Sequence, residues 1–111
     1  MTVYVDDVRH RFGRMVMCHM WADTVEELHA FAAQLGLKRS WFQCPPKASW
    51  EHYDISLSVK AAAIRAGAVL TDRYGPVEHT AWQRNQWAKI VMIYDLRERD
   101  GLPYHGFLTE K

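Results

Sequence analysis

Few cysteines, no excess of charge and no long apolar run are the first features of this 111-residue chain. Its two cysteines, Cys18 and Cys44, are too few for the disulfide framework of a small secreted domain, and no secretory signal opens the sequence. The longest apolar run, residues 90–94, is far too short to span a membrane. These absences predict a cytoplasmic protein with reduced thiols.

The charges are nearly balanced, with 14 Lys and Arg against 13 Asp and Glu and a net charge of +1. Many nucleic-acid-binding domains are strongly basic, so any phosphate recognition by this chain must be local. A hydrophobic content of 49% is ordinary for a globular protein of this length. We therefore expect one domain, with a core over residues 1–75 and a C-terminal helix and tail over residues 76–111 packing on it.

The segment 52–72 is the most informative part of the chain and predicts a polar loop, a helix, a glycine stop and a short strand. Ser56 is placed to cap the helix, and Gly67 supplies the left-handed residue after it. His52 and Asp54 precede the helix, where backbone N–H groups and the helix dipole favour an anion. The sequence therefore predicts a functional loop at this helix N-terminus.

Other segments predict the remaining elements. Strands are expected at residues 2–5, 15–22 and 37–43, on their β-branched, aromatic or unbroken apolar character. Thr24 and Glu27 form a capping box that begins another helix.

A third helix is expected from Pro76, and residues 90–94 fit either its continuation or a strand. This order of elements predicts a small single-domain α/β sandwich with a partly parallel sheet of about four strands and about three helices. The loops at residues 6–14 and 43–54 are expected to converge at one edge of that sheet.

Two aspartates, Asp6 and Asp7, follow the first predicted strand. Carboxylates at a strand end are suited to a divalent metal such as Mg²⁺ or Mn²⁺, and they are equally suited to forming a turn. The next residues carry the densest positive charge in the chain, in Arg9, His10, Arg11 and Arg14. This group predicts either a phosphate clamp or a solvated loop that pairs with the aspartates.

Cys18 and His19 are neighbours in the second predicted strand. Adjacent strand residues point to opposite faces, so they cannot form a dyad, and Cys18 is expected to be a buried small hydrophobe. His19 requires either a hydrogen-bond partner in the core or a place in a pocket. Farther along, two prolines stiffen the loop before Trp50, which suits either packing or stacking on a ligand.

Four segments of the chain, Val3-Tyr4-Val5-Asp6-Asp7 and residues 15–23, 39–43 and 52–56, together resemble the bacterial and phage family called domain of unknown function 4031. That family has no established activity. The resemblance implies a cytoplasmic bacterial or phage accessory protein, sometimes joined to a phosphohydrolase domain of the His-Asp type. This association favours nucleotides as ligands.

A second similarity covers residues 54–72, which resemble the C-terminal half of PIN-type ribonucleases. In that family an acidic residue opens a helix and another follows the next strand. Asp6 with Glu26 or Glu27 would complete an acidic metal-binding set for phosphodiester hydrolysis, with nucleic acid as the substrate. The chain between these elements is shorter than the family normally has.

The first expected function is a module that binds a nucleotide or similar phosphorylated small molecule. In this interpretation the arginines contact phosphate, an aromatic side chain stacks on the base, and two polar residues fix the sugar or base. The assigned residues are Arg9, Arg11 and Arg14 for phosphate, Trp50 or Tyr53 for the base, and His52 and Asp54 for the sugar or base, with His19 also lining the site.

The alternative is a metal-dependent phosphodiester hydrolase, with Asp6, Asp54 and Asp7 or Asp72 on Mg²⁺ or Mn²⁺. Its general base would be His52 or His10. No histidine pair has a recognised zinc spacing, so the sequence does not predict zinc. A third interpretation is a protein-interaction module, or homo-oligomer, that uses the Trp82 and Trp87 helix.

Overall fold

The computed structural model describes residues 2–103, and the chain forms two compact units, one ending at Asp72 and one beginning at Arg73. Within the described residues, the first unit has six strands and two helices. They are β1 (Val3–Val5), β2 (His10–Phe12), β3 (Met15–Ala22), α1 (Val25–Gln34), β4 (Phe42–Gln43), β5 (His52–Ser56), α2 (Leu57–Arg65) and β6 (Val69–Leu70). The second unit contains α3 (Gly75–Gln83) and α4 (Trp87–Asp100).

The six strands form one mixed sheet in the order β4-β5-β3-β1-β6, and β2 also pairs with β3. The pair β1–β6 is parallel, whereas β1–β3, β2–β3, β3–β5 and β4–β5 are antiparallel. The α/β class and the partly parallel sheet are therefore confirmed. The predicted counts of about four strands and three helices are too low.

The sheet has one apolar face and one polar, aromatic face. Side chains alternate along each strand, so residues paired across strands share a face. Helices α1 and α2 cover the apolar face, where the core contains Val5, Cys18, Met20, Ile55, Leu28 and Ala63. The opposite face carries Tyr4, His19, Trp21, His52 and Asp54.

The predicted signals at the starts of α1 and α2 are confirmed. Thr24 Oγ1 accepts a hydrogen bond from Glu27 N at 3.2 Å and donates to the Glu27 carboxylate at 3.2 Å. Ser56 Oγ accepts from Val59 N at 3.3 Å. Gly67, with φ +110°, follows α2 in a backbone conformation that other residues rarely adopt. Both helices thus begin where local hydrogen bonding dictates.

The largest correction concerns residues 52–54, which were expected in a loop and instead begin the strand β5. Tyr53 and Ile55 point to the core, while His52 and Asp54 point to the polar face, so the segment has the period of two of a strand. The strand expected at residues 37–43 is also wrong in its first part. Residues Arg39–Trp41 form a 3₁₀ turn, and β4 pairs with β5 over two residues only.

In the second unit, Pro76 lies in the first turn of α3 as predicted, and residues 90–94 are helical. A break separates α3 from α4 at Asn85, which has φ +55°. Glu78 and Arg97 form a fully buried ion pair between the two helices. No helix of residues 2–103 is long and apolar enough to cross a membrane. Residues 104–111, which belong to the predicted tail, lie outside the described residues.

Candidate metal centre

Four side chains from three neighbouring strands meet on the polar face of the sheet. His19 lies in the middle of β3 directly opposite Asp54 of β5, and His52 lies two residues before Asp54 on the same face. His10 of β2 pairs with Met17, two residues before His19. We refer to His10, His19, His52 and Asp54 as the histidine cluster.

The orientation of His19 is set by Asp6, whose side chain is fully buried at the end of β1. Asp6 Oδ1 accepts a hydrogen bond from the backbone N–H of His19 at 3.0 Å, and Oδ2 lies 2.7 Å from His19 Nδ1. A carboxylate only accepts, so Nδ1 carries the proton. His19 Nε2 therefore points away from Asp6 and is the ring nitrogen left to bind a metal.

An irregular pairing of β1 and β2 with β3 makes room for this contact. Val5 pairs with Met20, and His10 pairs with Met17, so the four residues 6–9 lie opposite only Cys18 and His19. At this bulge, His19 N donates to the Asp6 carboxylate, a side-chain acceptor. The same bulge brings His10 back to the polar face.

His52 is held by the loop that precedes β5. Its Nδ1 donates to the backbone carbonyl of Trp50 at 3.0 Å, and the Trp50 ring stacks on the imidazole with centroids 4.2 Å apart. Trp50 also makes edge contacts with His19 and Trp21. Burial lowers the pKa of His52 below its ordinary value, and the Trp50 carbonyl opposes this shift. His52 is therefore neutral near pH 7.

Asp54 lies between the two imidazoles. Its Oδ2 accepts from Gln43 Nε2 at 2.6 Å. Its Oδ1 is buried, lies 3.5 Å from His52 Nε2 and 3.8 Å from His19 Nε2, and accepts no hydrogen bond from any residue in the range 2–103. Three ligand atoms all lie within 4.8 Å of one another, one from each of His10, His19 and Asp54. Two imidazoles and a carboxylate form a donor set suited to a divalent metal.

Several residues expected at the site lie in this cluster or beside it, namely Asp6, His10, His19, Trp50, His52 and Asp54. Asp6 uses both of its oxygens on His19. Asp7 is exposed. Sequence reasoning did not identify Gln43 as the partner of Asp54, because that contact depends on the two-residue pairing of β4 with β5.

The other expected ligand-binding residues are placed differently. Tyr53 lies on the core side of β5, and its hydroxyl contacts His29 Nδ1 at 2.8 Å. Arg11 pairs with Val16, so it projects from the face opposite to His10. Arg9 and Arg14 are exposed just before β2 and in the turn after it. The structure thus does not gather the three arginines on one face.

Cys18 should resist alkylation in the folded protein, although it is adjacent to His19 in sequence. The thiol is fully buried in the core, and burial raises its pKa to about 12. Iodoacetamide at pH 8 should modify the partly exposed Cys44 and leave Cys18 unmodified, whereas both thiols should react in urea. Peptide mass spectrometry reads out the sites, and equal labelling of the two cysteines in the folded protein would contradict the core position of Cys18.

Comparison with known proteins places the chain in a family. A family model described as "Protein of unknown function (DUF4031)" matches residues 3–88, a range that includes the whole sheet, α1 to α3 and every residue of the histidine cluster. The searches of curated proteins and of solved structures found no match. Since the match covers most of the chain and confirms the resemblance of the separate segments, the protein belongs to this family of unknown function.

Proposed function

We propose that this protein is a metal-dependent hydrolase of phosphorylated small molecules such as nucleotides. The observation that supports the proposal is the convergence of ligand atoms from His10, His19 and Asp54 within 4.8 Å of one another. These residues would hold a divalent metal, which would supply an activated water and charge neutralisation for a phosphoryl group.

The surrounding residues have separable roles in this proposal. Asp6 holds His19 in the tautomer that presents Nε2 to the metal. Arg9 and Arg14, which are exposed near β2, are assigned to phosphate contact, and Arg11 is not, because it projects from the opposite face. Both described cysteines are free thiols, which supports the proposed cytoplasmic setting.

A second candidate is nucleotide binding without turnover. The indole of Trp50 stacks on His52 at the edge of the histidine cluster, which supports a site that recognises an aromatic base as well as phosphate. This candidate predicts the same ligand class as the hydrolase. It differs in requiring neither a metal nor product formation.

Hydrolysis should depend on the added metal and on His10. We expect chelator-treated protein to release phosphate or a nucleoside monophosphate from nucleoside triphosphates only after Mn²⁺ is restored, and we expect His10→Gln to lower the rate at least about 100-fold by removing a metal ligand. Product formation is followed by chromatography.

The matched control is His29→Asn, which changes a histidine on the other side of the sheet and should retain activity. Binding of nucleotide without product, unaffected by chelator, would favour the second candidate. Neither binding nor turnover across a panel of phosphate esters would contradict both.

A further inference from the structure

The histidine cluster contains two imidazoles whose tautomers are both set by the protein. His19 Nδ1 is engaged by Asp6 Oδ2 at 2.7 Å, and His52 Nδ1 is engaged by the Trp50 carbonyl at 3.0 Å. Both partners are acceptors, so each Nδ1 carries the proton. In each ring, Nε2 is therefore the nitrogen that is left to bind a metal.

The two Nε2 atoms lie near the same carboxylate oxygen. Asp54 Oδ1 lies 3.5 Å from His52 Nε2 and 3.8 Å from His19 Nε2, and it accepts no hydrogen bond from residues 2–103. A buried carboxylate oxygen without a hydrogen-bond partner is costly. A cation bound by this oxygen and the imidazoles removes that penalty.

The distances from Asp54 Oδ1 to the two Nε2 atoms also fit coordination. Metal–ligand bonds of about 2.0–2.1 Å in a tetrahedral site place neighbouring ligand atoms about 3.4 Å apart. The distances of 3.5 Å and 3.8 Å are close to this value. His52 lies outside the group of ligand atoms that are all within 4.8 Å of one another, so its side chain must move toward the other two histidines to complete the site. His10 adds a further imidazole within 4.8 Å of the His19 and Asp54 ligand atoms.

We infer that the metal is a first-row transition-metal ion, such as Mn²⁺, Fe²⁺ or Zn²⁺, and that His52 is its fourth protein ligand beside His10, His19 and Asp54. Three imidazole nitrogens and one carboxylate oxygen suit these ions, whereas Mg²⁺ prefers oxygen ligands and keeps several waters. The inference rests on the cation site of the proposed function. It changes the role of His52 from the general base expected from the sequence to a metal ligand.

The test is a Mn²⁺ titration of the chelator-treated full chain, with the signal of free Mn²⁺ followed by electron paramagnetic resonance. We expect one ion per chain and no displacement by a 100-fold excess of Mg²⁺. The variant His52→Asn keeps an N–H near the Nδ1 position, which faces the Trp50 carbonyl, and removes Nε2. It should weaken Mn²⁺ binding by about 100-fold or more, since even second-shell changes cost about 10- to 100-fold.

The control His29→Asn should bind Mn²⁺ as the wild type does, and thermal unfolding establishes that each variant is folded. If His52→Asn does not fold, His52→Gln tests whether His52 is a ligand. Its amide oxygen lies near the Nε2 position but is a weaker ligand than imidazole, so the variant should bind Mn²⁺ less tightly than the wild type.

Wild-type affinity in a folded His52 variant, or ready displacement by Mg²⁺, would overturn the inference. If His10→Gln weakens Mn²⁺ binding and the His52 variants do not, the inference fails and the cation site of the proposed function remains. If no ion binds the wild type, both fail.

Discussion

Replacing Arg97 with methionine should lower the free energy of unfolding of the second unit by about 3–5 kcal/mol. Arg97 and Glu78 are both fully buried, and Arg97 Nε donates to Glu78 Oε1 at 2.5 Å. Arg97 Nη1 also donates to the carbonyl of Pro103 at 3.0 Å. Without the guanidinium, the buried Glu78 carboxylate loses this charged partner in a medium of low dielectric.

The measurement is urea unfolding followed by tryptophan fluorescence, since Trp82 and Trp87 pack against each other in this unit. The matched control is Arg99→Met. Arg99 is exposed and its contact with Asp100 is a surface ion pair, so its replacement should cost far less stability than that of Arg97.

The double variant Glu78→Gln with Arg97→Met separates charge from packing. It should be more stable than Arg97→Met alone, because it removes the buried carboxylate charge together with the guanidinium. Equal losses for Arg97→Met and Arg99→Met would show that the buried pair does not have the importance inferred from its burial.

Asp6→Asn should weaken Mn²⁺ binding by about 10- to 100-fold and lower the free energy of unfolding by about 1–3 kcal/mol. The two Asp6 oxygens accept from His19 N and from His19 Nδ1. An amide has only one oxygen, so its NH₂ group must face one of these two N–H groups. Either the backbone N–H loses its acceptor or the ring changes to the tautomer with the proton on Nε2, the atom that should bind the metal.

A positioning role for Asp6 is distinguished from a purely structural one by the tautomer of His19. Two-dimensional ¹H–¹⁵N spectra of the imidazole should show the proton on Nδ1 in the wild type and on Nε2 in Asp6→Asn. Asp95→Asn, an exposed position on α4, is the control and should change neither the affinity nor the spectra. Full Mn²⁺ affinity in Asp6→Asn would contradict the role of the Asp6–His19 contact.

Features set by neighbouring residues were predictable from the sequence. The caps at Thr24 and Ser56 depend on hydrogen bonds within one helical turn, and both are present. The sequence does not predict the strand β5, because the polar residues His52 and Asp54 indicate a loop when each is considered alone. The alternation with Tyr53 and Ile55 carried the correct signal, since it places the polar pair on one face.

The candidate site was predictable as a set of residue types and not as a set of contacts. His10, His52 and Asp54 could be named as reactive side chains. The contact of Asp6 with His19 depends on the pairing of β1 with β3, which lies outside any local pattern. The arginine cluster failed as a unit for a related reason, since local charge density does not reveal that Arg11 faces away from His10.

Whether His10 faces the candidate metal centre depends on whether the number of residues in the bulge, residues 6–9, is even or odd. Between Val5 and His10 the chain has two more residues than β3 has between Met20 and Met17, and an even surplus returns His10 to the polar face. Deleting one residue there would bring an arginine opposite Met17 and turn the imidazole toward the helices. A substitution at residues 7–9 leaves the position of His10 intact, whereas a single-residue deletion or insertion there does not, so the position of His10 should tolerate changes of residue far better than changes of length.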